Sequence, residues 1–336
     1  IILHISTKPA KRTILVVFSK TNLNLLPCFD IEEKKAIQDK LNDGVAIIPF
    51  SKQHKTYLLI PFESDENLPE DTMHEKLRIQ GNTIYKTCKE LKETDVSVEI
   101  LGNVPKDQLV SILLGINLSC YEFLKYRTKQ KNFILTIHID PIIIVHITKD
   151  LVNEPVSFLT ALQYSKEIQK IGETAGFQVT VMDQKEIEEE RMGGVIAVNS
   201  GSSAPATFNI LEYKPNHPKN EKPLVLVGKG VVFDTGGLSL KPTKRSMDMM
   251  KCDMAGSATV VGAMHAIAKS KLPYHIIGLI PAVENRPGYE AICPGDVITM
   301  YDGTTVEVLD TDAEGRLILA DALHYAKRYK PELVLD

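Results

Sequence analysis

What most constrains this chain is the alternation of short β-rich runs with long helical patterns, which persists along its whole length. Residues 14–18, 45–48 and 56–60 read as strands, rich in Val, Ile and Leu. A polar, proline-containing stretch over 63–71 leads into a helical pattern at 73–91. Val96, Val98 and Ile100 alternate as on one face of a strand, 106–126 reads as a second long helix, and 133–139 closes the set. Strands that alternate with helices bury their apolar faces by layering, so this part predicts a three-layer α/β unit. Asp140-Pro141 interrupts the apolar run and places a boundary there, giving domains 1–140 and 141–336.

The second part repeats the theme. Strands are expected at 142–147, 178–182, 195–199, 208–213, 224–227, 276–281 and 333–335, and helices at 159–176, 258–269 and 317–329. This predicts a second α/β domain around a central mixed sheet. Its last strand lacks a following crossover, so the domain reads as truncated at the C-terminus.

With 336 residues, 43% of them hydrophobic, the chain is long enough for two cores. A net charge of -4 and the lack of a basic tract argue against a dedicated nucleic-acid surface. Cys28, Cys88, Cys120, Cys252 and Cys293 are dispersed with no CxxC pair, which suits reduced thiols in the cytoplasm. The most apolar stretch, 133–147, is broken by His138, Asp140, Pro141 and His146, so no membrane span is expected. The start of the chain has no signal-peptide pattern.

Four blocks carry charge beside glycine. They are Gly228-Lys229-Gly230 through Asp234-Thr235-Gly236-Gly237, Leu238 through Lys241-Pro242, Met250 through Asp253 to Gly256, and Asp310-Thr311-Asp312-Ala313-Glu314-Gly315-Arg316. In open α/β sheets the ligand crevice lies at the carboxyl ends of strands, where such residues gather. Asp312 and Glu314, two apart, share a face if the backbone is extended. Asp234, Asp253, Asp312 and Glu314 crowded together would repel or protonate unless cations sit between them, and two divalent ions balance their charge. Lys229 joins such a set only as a neutral amine, a form that burial and a metal both favour. Lys241 and Arg316 remain as fixed positive groups for a developing oxyanion or a small anion. Singly, each block has an ordinary reading: Asp234 in a strand-ending turn, Asp253 capping the next helix, Lys241 in solvent, Glu314 and Arg316 as a surface pair. The phosphate-loop pattern GxxxxGK[ST] is absent.

Together these blocks resemble the leucyl aminopeptidase (cytosol aminopeptidase) family, strongly from Asp150 onward and weakly before it. The resemblance implies an N-terminal macro-like three-layer domain and a metallopeptidase catalytic domain. It implies that Lys229, Asp234, Asp253 and Glu314 hold a tight metal, and Asp234, Asp312 and Glu314 an exchangeable one, with Asp234 and Glu314 bridging. Zn²⁺ is the usual ion, and Mn²⁺, Co²⁺ or Mg²⁺ substitute in the exchangeable position. Lys241 would polarise the scissile carbonyl and Arg316 would hold a bicarbonate acting as general base, since no histidine lies in the four blocks. A water between the metals would attack the peptide bond after the N-terminal residue, Leu and similar side chains being preferred. The resemblance also implies a homohexamer acting on peptides. The alternative is a catalytically inactive member serving as a binding or structural subunit. The chain departs from the family pattern at Asp310, where Asn is usual. On an extended backbone this would add a fifth carboxylate to the cluster, weakening discrimination among metals or raising the Asp310 pKa. Ala in the 253–258 block where Gly is common, and Cys293 for a frequent Arg, are milder departures. His265, His324 and Cys252 are expected to be packing or surface residues.

Overall fold

Strand β11 (Ile276–Asn285) is buried at all ten positions, and the second unit of the protein is organised around it. Such a continuous apolar run suits a strand covered on both faces. The structure is a computed structural model; it describes residues 4–5, 13–19, 29–45, 47–52, 55–62, 68–101, 105–121, 125–126, 136–138 and 147–336. The chain divides into two compact units, Ile1–Ile144 and Val145–Asp336.

In the first unit the order is β1 (His4–Ile5), β2 (Thr13–Ser19), α1 (Ile31–Asn42), β3 (Ile48–Lys52), β4 (Lys55–Phe62), α2 (Glu70–Glu90), β5 (Asp95–Leu101), α3 (Lys106–Cys120) and β6 (Thr136–His138). The sheet runs β1-β6-β5-β2-β4-β3. Every pairing in it is parallel except the β3–β4 hairpin. Helix α1 begins at a capping box in which Asp30 and Glu33 satisfy each other's backbone N–H. Leu58, Leu59 and Ile60 of β4 are fully buried, so that strand too is covered on both faces. Two expectations shift here. The strand expected at 45–48 runs over Ile48–Lys52 instead, and the helix expected to reach 126 stops at Cys120. Cys28 and nearly all of the run expected at 142–147 lie outside the described residues.

The second unit comprises α4 (Ile147–Asn153), α5 (Ala161–Ala175), β7 (Gln178–Met182), α6 (Gln184–Glu189), α7 (Gly193–Asn199), β8 (Thr207–Tyr213), β9 (Leu224–Val227), β10 (Gly230–Asp234), α8 (Ala255–Lys269), β11, β12 (Val297–Thr299), β13 (Thr305–Glu307), α9 (Glu314–Ala326) and β14 (Leu333–Leu335). Its main sheet runs β14-β9-β11-β8-β7, with β10 also paired to β11, and it is mixed. β8 is antiparallel to β11, whereas β9 and β10 are parallel to it. Helix α5 shows how sequence sets an element here: Thr160 caps its start, and Gly176 in the left-handed region ends it. None of the described helices is long and apolar enough to cross a membrane.

The strand expected at 195–199 is a helix, α7. Its Val-rich composition suggests β structure, but a distant residue decides otherwise. The fully buried Asp321 carboxylate accepts the Val195 N–H at 3.0 Å and the Tyr301 N–H at 2.9 Å. A carboxylate at a helix start satisfies donors that have no partner within the helix. Val195 and Val198 pack into the core from that helix.

Candidate metal centre

β9 and β10 pair with the same side of β11, one after the other, and the break between them is Gly228-Lys229. At the break the Gly228 N–H donates to the Leu279 carbonyl at 3.0 Å, and the Ser257 N–H donates to the Lys229 carbonyl at 3.0 Å. The first turn of α8 is thereby docked on Lys229. Ser257 Oγ in turn bonds the Met254 carbonyl at 2.7 Å and the buried Tyr164 hydroxyl at 2.8 Å. Lys229 therefore leaves the sheet at the carboxyl end of β9, at the crevice edge of a parallel sheet.

Asp234 is the last residue of β10 and is 2% exposed. Its Oδ1 accepts the Gly236 N–H at 2.8 Å and the Asn285 amide Nδ2–H at 2.8 Å. The chain then turns through Gly236 and Gly237, at φ +86° and +63°. Both glycines are needed: a Cβ at Gly236 would fall 2.3 Å from the Ser239 carbonyl, and one at Gly237 would fall 2.8 Å from Asn285 Oδ1. The turn is tied to the last block, since Thr311 Oγ1 donates to the Gly236 carbonyl at 2.6 Å and accepts the Ser239 N–H at 2.8 Å.

Asp253 follows a 3₁₀ turn over Met247–Cys252. It does not cap α8, whose start at Met254 has no side-chain cap. Its carboxylate instead faces Lys229. Asp312 and Glu314 are not on extended backbone either: Thr311–Ala313 is a 3₁₀ turn and Glu314 begins α9. A helical turn, not strand alternation, brings the two together. Asp310 caps this turn, its Oδ1 accepting the Asp312 N–H at 2.9 Å. The cluster of Asp234, Asp312 and Glu314 does not include it, so the expected fifth carboxylate is corrected to a capping residue.

Asp234, Asp312 and Glu314 each offer an oxygen within 4.8 Å of the others. Lys241 Nζ contacts Asp234 Oδ2 at 2.9 Å and also Asp312 Oδ1. Lys229 Nζ lies 2.7 Å from Glu314 Oε1, 2.9 Å from Asp253 Oδ2 and 3.0 Å from Asp253 Oδ1. Six of the seven residues singled out from the sequence are thus joined in one network. The seventh, Arg316, is exposed in the first turn of α9 and makes no ion pair with these carboxylates among the described residues.

Burial pushes the Glu314 and Asp253 carboxyls above the usual carboxylate range, against the pull of Lys229. Burial also works against the Lys229 charge, but hydrogen bonds to Glu314 and Asp253 outweigh it and its pKa rises. Lys241 follows the same pattern through Asp312 and Asp234. Contact with two carboxylates favours the charged form of Lys229, and the neutral amine expected from the sequence requires a competing cation. The donor set fits divalent metals. Four carboxylates converge against two lysines, and the buried Glu314 Oε2 has no hydrogen-bond partner among the described residues. Oxygen and amine donors with no thiolate match hard or borderline ions such as Mn²⁺, Mg²⁺, Co²⁺ or Zn²⁺. His265 and His324 lie on α8 and α9 and contribute nothing to the cluster, nor does Cys252.

Residues 146–336 match the model for the cytosol aminopeptidase family, catalytic domain. The chain belongs to the cytosol aminopeptidase family. A probable cytosol aminopeptidase of Chloroherpeton thalassium is 53% identical over 189 residues, which is 56% of this chain and 37% of that protein. One from Nitrosospira multiformis is 50% identical over 190 residues, 56% of this chain and 36% of that protein. The chain thus spans little more than a third of the length of these relatives. Among solved structures, the cytosol aminopeptidase of Coxiella burnetii superposes with a TM-score of 0.78 at 23% identity, over 98% of this chain and 71% of that one. The leucine aminopeptidase of Caenorhabditis elegans gives 0.70 at 27% identity, over 99% and 72%. The bottromycin maturation enzyme BotP, solved with Mn, gives 0.77 at 25% identity, over 96% and 71%. The family's two-domain α/β fold therefore extends through the first unit, where the sequence likeness is weak.

Sequence reasoning missed Asn285 and Thr311, which hold the cluster without belonging to it. A signal for Asn285 was present: a polar Glu284-Asn285 pair ends an apolar strand just before Arg286-Pro287-Gly288, at the sheet edge where ligands bind.

Proposed function

We propose that this cytosol aminopeptidase family member is a metal-dependent exopeptidase that removes N-terminal residues, Leu and similar ones preferentially, from peptides. The observation that carries the reading is the convergence of Asp234, Asp312 and Glu314 within 4.8 Å, flanked by Lys229 and Asp253. Lys229, Asp234, Asp253 and Glu314 would hold one divalent ion and Asp234, Asp312 and Glu314 a second, as Zn²⁺ or Mn²⁺, with Co²⁺ or Mg²⁺ as substitutes. Two such ions supply an activated water and Lewis-acid polarisation of a carbonyl at neutral pH.

The protein's own groups supply the rest. Lys241, largely buried beside Asp234 and Asp312, keeps a positive charge where negative charge develops on the substrate carbonyl oxygen. Arg316 carries a fixed, exposed charge two residues after Glu314, suited to anchoring a bicarbonate that takes a proton in place of a protein base. The free α-amine of a peptide would bind one of the ions these residues hold, which restricts cleavage to the chain's first residue. We place the protein in the cytoplasm as a homohexamer, in keeping with the family resemblance.

The test is release of chromophore from a leucyl chromogenic amide by the purified protein with added Mn²⁺ or Zn²⁺. Metal-stimulated release supports the reading. Uptake of metal without release would favour a non-catalytic binding subunit on the same fold.

A further inference from the structure

Asn285 is the last residue of β11 and stands in register with Asp234, the last residue of β10. It is 2% exposed. Its carbonyl is pinned by Thr235, which donates its N–H at 3.0 Å and its Oγ–H at 2.8 Å. Its amide nitrogen has two hydrogens and uses both: one goes to Asp234 Oδ1 at 2.8 Å, the other to the Thr311 carbonyl at 3.0 Å. Asp234 Oδ1 also accepts the Gly236 N–H, so that oxygen is saturated by two donors. Only Oδ2, the oxygen facing Lys241 Nζ, remains for a cation.

The second bond matters as much. Thr311 immediately precedes Asp312 and lies three residues before Glu314. One buried amide therefore joins the two chain segments that supply three carboxylates of the cluster. Neither a carboxylate nor an apolar side chain serves this place. An aspartate would present oxygens to two acceptors, and a leucine of similar size would donate to neither, leaving Asp234 Oδ1 with the Gly236 N–H alone. Leaving a buried acceptor unpaired is costly, which makes the arrangement stiff.

We propose that Asn285 is a positioning residue of the metal centre. It fixes Asp234 so that a single oxygen addresses the ions, and it sets the spacing between Asp234 and the Asp312–Glu314 turn. The inference rests on the two-metal reading above. Outer partners of this kind orient ligands and command roughly 10- to 100-fold in metal affinity.

The experiment is calorimetric titration of Mn²⁺ into the whole chain, with urea unfolding of each preparation before metal is added. Three proteins are compared: the parent, Asn285→Leu and Asn209→Leu. Asn209 is an equally buried amide in the same unit, bonded to the Ile280 carbonyl at 3.2 Å and to the Thr207 hydroxyl, neither of them in a proposed ligand. The parent is expected to take two Mn²⁺. Asn285→Leu is expected to bind at least one of them roughly 10- to 100-fold more weakly. Asn209→Leu is expected to unfold at lower urea yet bind Mn²⁺ as the parent does. A parent that binds no Mn²⁺ sinks the two-metal reading itself. Parental affinity in Asn285→Leu, or an equal loss in Asn209→Leu, overturns the positioning role alone. If Asn285→Leu does not fold, Asn285→Thr replaces it with an expected loss of about tenfold, and parental affinity there overturns the proposal equally.

Discussion

Lys229 Nζ stands 2.7 Å from Glu314 Oε1, and this contact joins the break between β9 and β10 to the first residue of α9. Glu314 is the most central group of the cluster, since its carboxylate faces Lys229 on one side and the Asp234 and Asp312 oxygens on the other. Glu314→Gln keeps its shape and removes the charge. It is expected to weaken Mn²⁺ binding by more than roughly 100-fold, beyond what an outer partner commands. Equilibrium dialysis against Mn²⁺ reads the change, and two ions still bound at parental affinity would exclude Glu314 as a ligand.

Gly315 makes room for Lys229. A Cβ there would sit 2.8 Å from Lys229 Cε and 3.0 Å from Nζ, the far end of a movable side chain. Gly315→Ala should therefore fold well, gaining up to about 1 kcal/mol of helix propensity, while driving the amine off the cluster. The expected pair of results is an unchanged or raised melting temperature together with about tenfold weaker metal binding. Unchanged affinity would show that Lys229 is not a ligand.

Gly237 answers to backbone geometry instead. With φ at +63° and no space beside Asn285 and Thr311, Gly237→Ala is expected to cost about 1–3 kcal/mol of stability. Urea unfolding measures this, and a loss below about 0.5 kcal/mol would contradict the tight-turn argument.

His265 gives a pH signature away from the cluster. Burial lowers its pKa below 6.5, helped by Lys269, and its buried Nδ1 has no hydrogen-bond partner among the described residues. Below 6.5 the unfolded chain binds a proton that the folded one refuses, so this group's contribution is present above 6.5 and lost as pH falls through the folded value. Unfolding free energies of His265→Gln and the parent, measured from pH 8 down to pH 5 (on the order of the histidine range), should converge toward the acid end. A constant gap would remove His265 from the account.

Much of the cluster is legible in the sequence because its members are short-range. Asp234 with its glycines, and the Asp310–Arg316 block, each write their chemistry into a few adjacent residues. The basis for joining Asp312 to Glu314 was nevertheless wrong in detail: spacing by two suggests a strand face, and the Asp310 cap turns the segment helical instead. Long-range decisions left little trace. Asp321 determines that 193–199 is helical from more than a hundred residues away, and Asn285 reaches Asp234 and Thr311 only because β10 and β11 are neighbours in the sheet. Pairing of that kind is a property of topology, and no local pattern carries it.

The central claim is that this carboxylate–lysine cluster binds a pair of divalent cations, and counting bound ions tests it most directly. Elemental analysis of the protein after saturation with Zn²⁺ or Mn²⁺ and removal of free ion should give two ions per chain, falling to fewer in Glu314→Gln. A parent protein that retains none contradicts it.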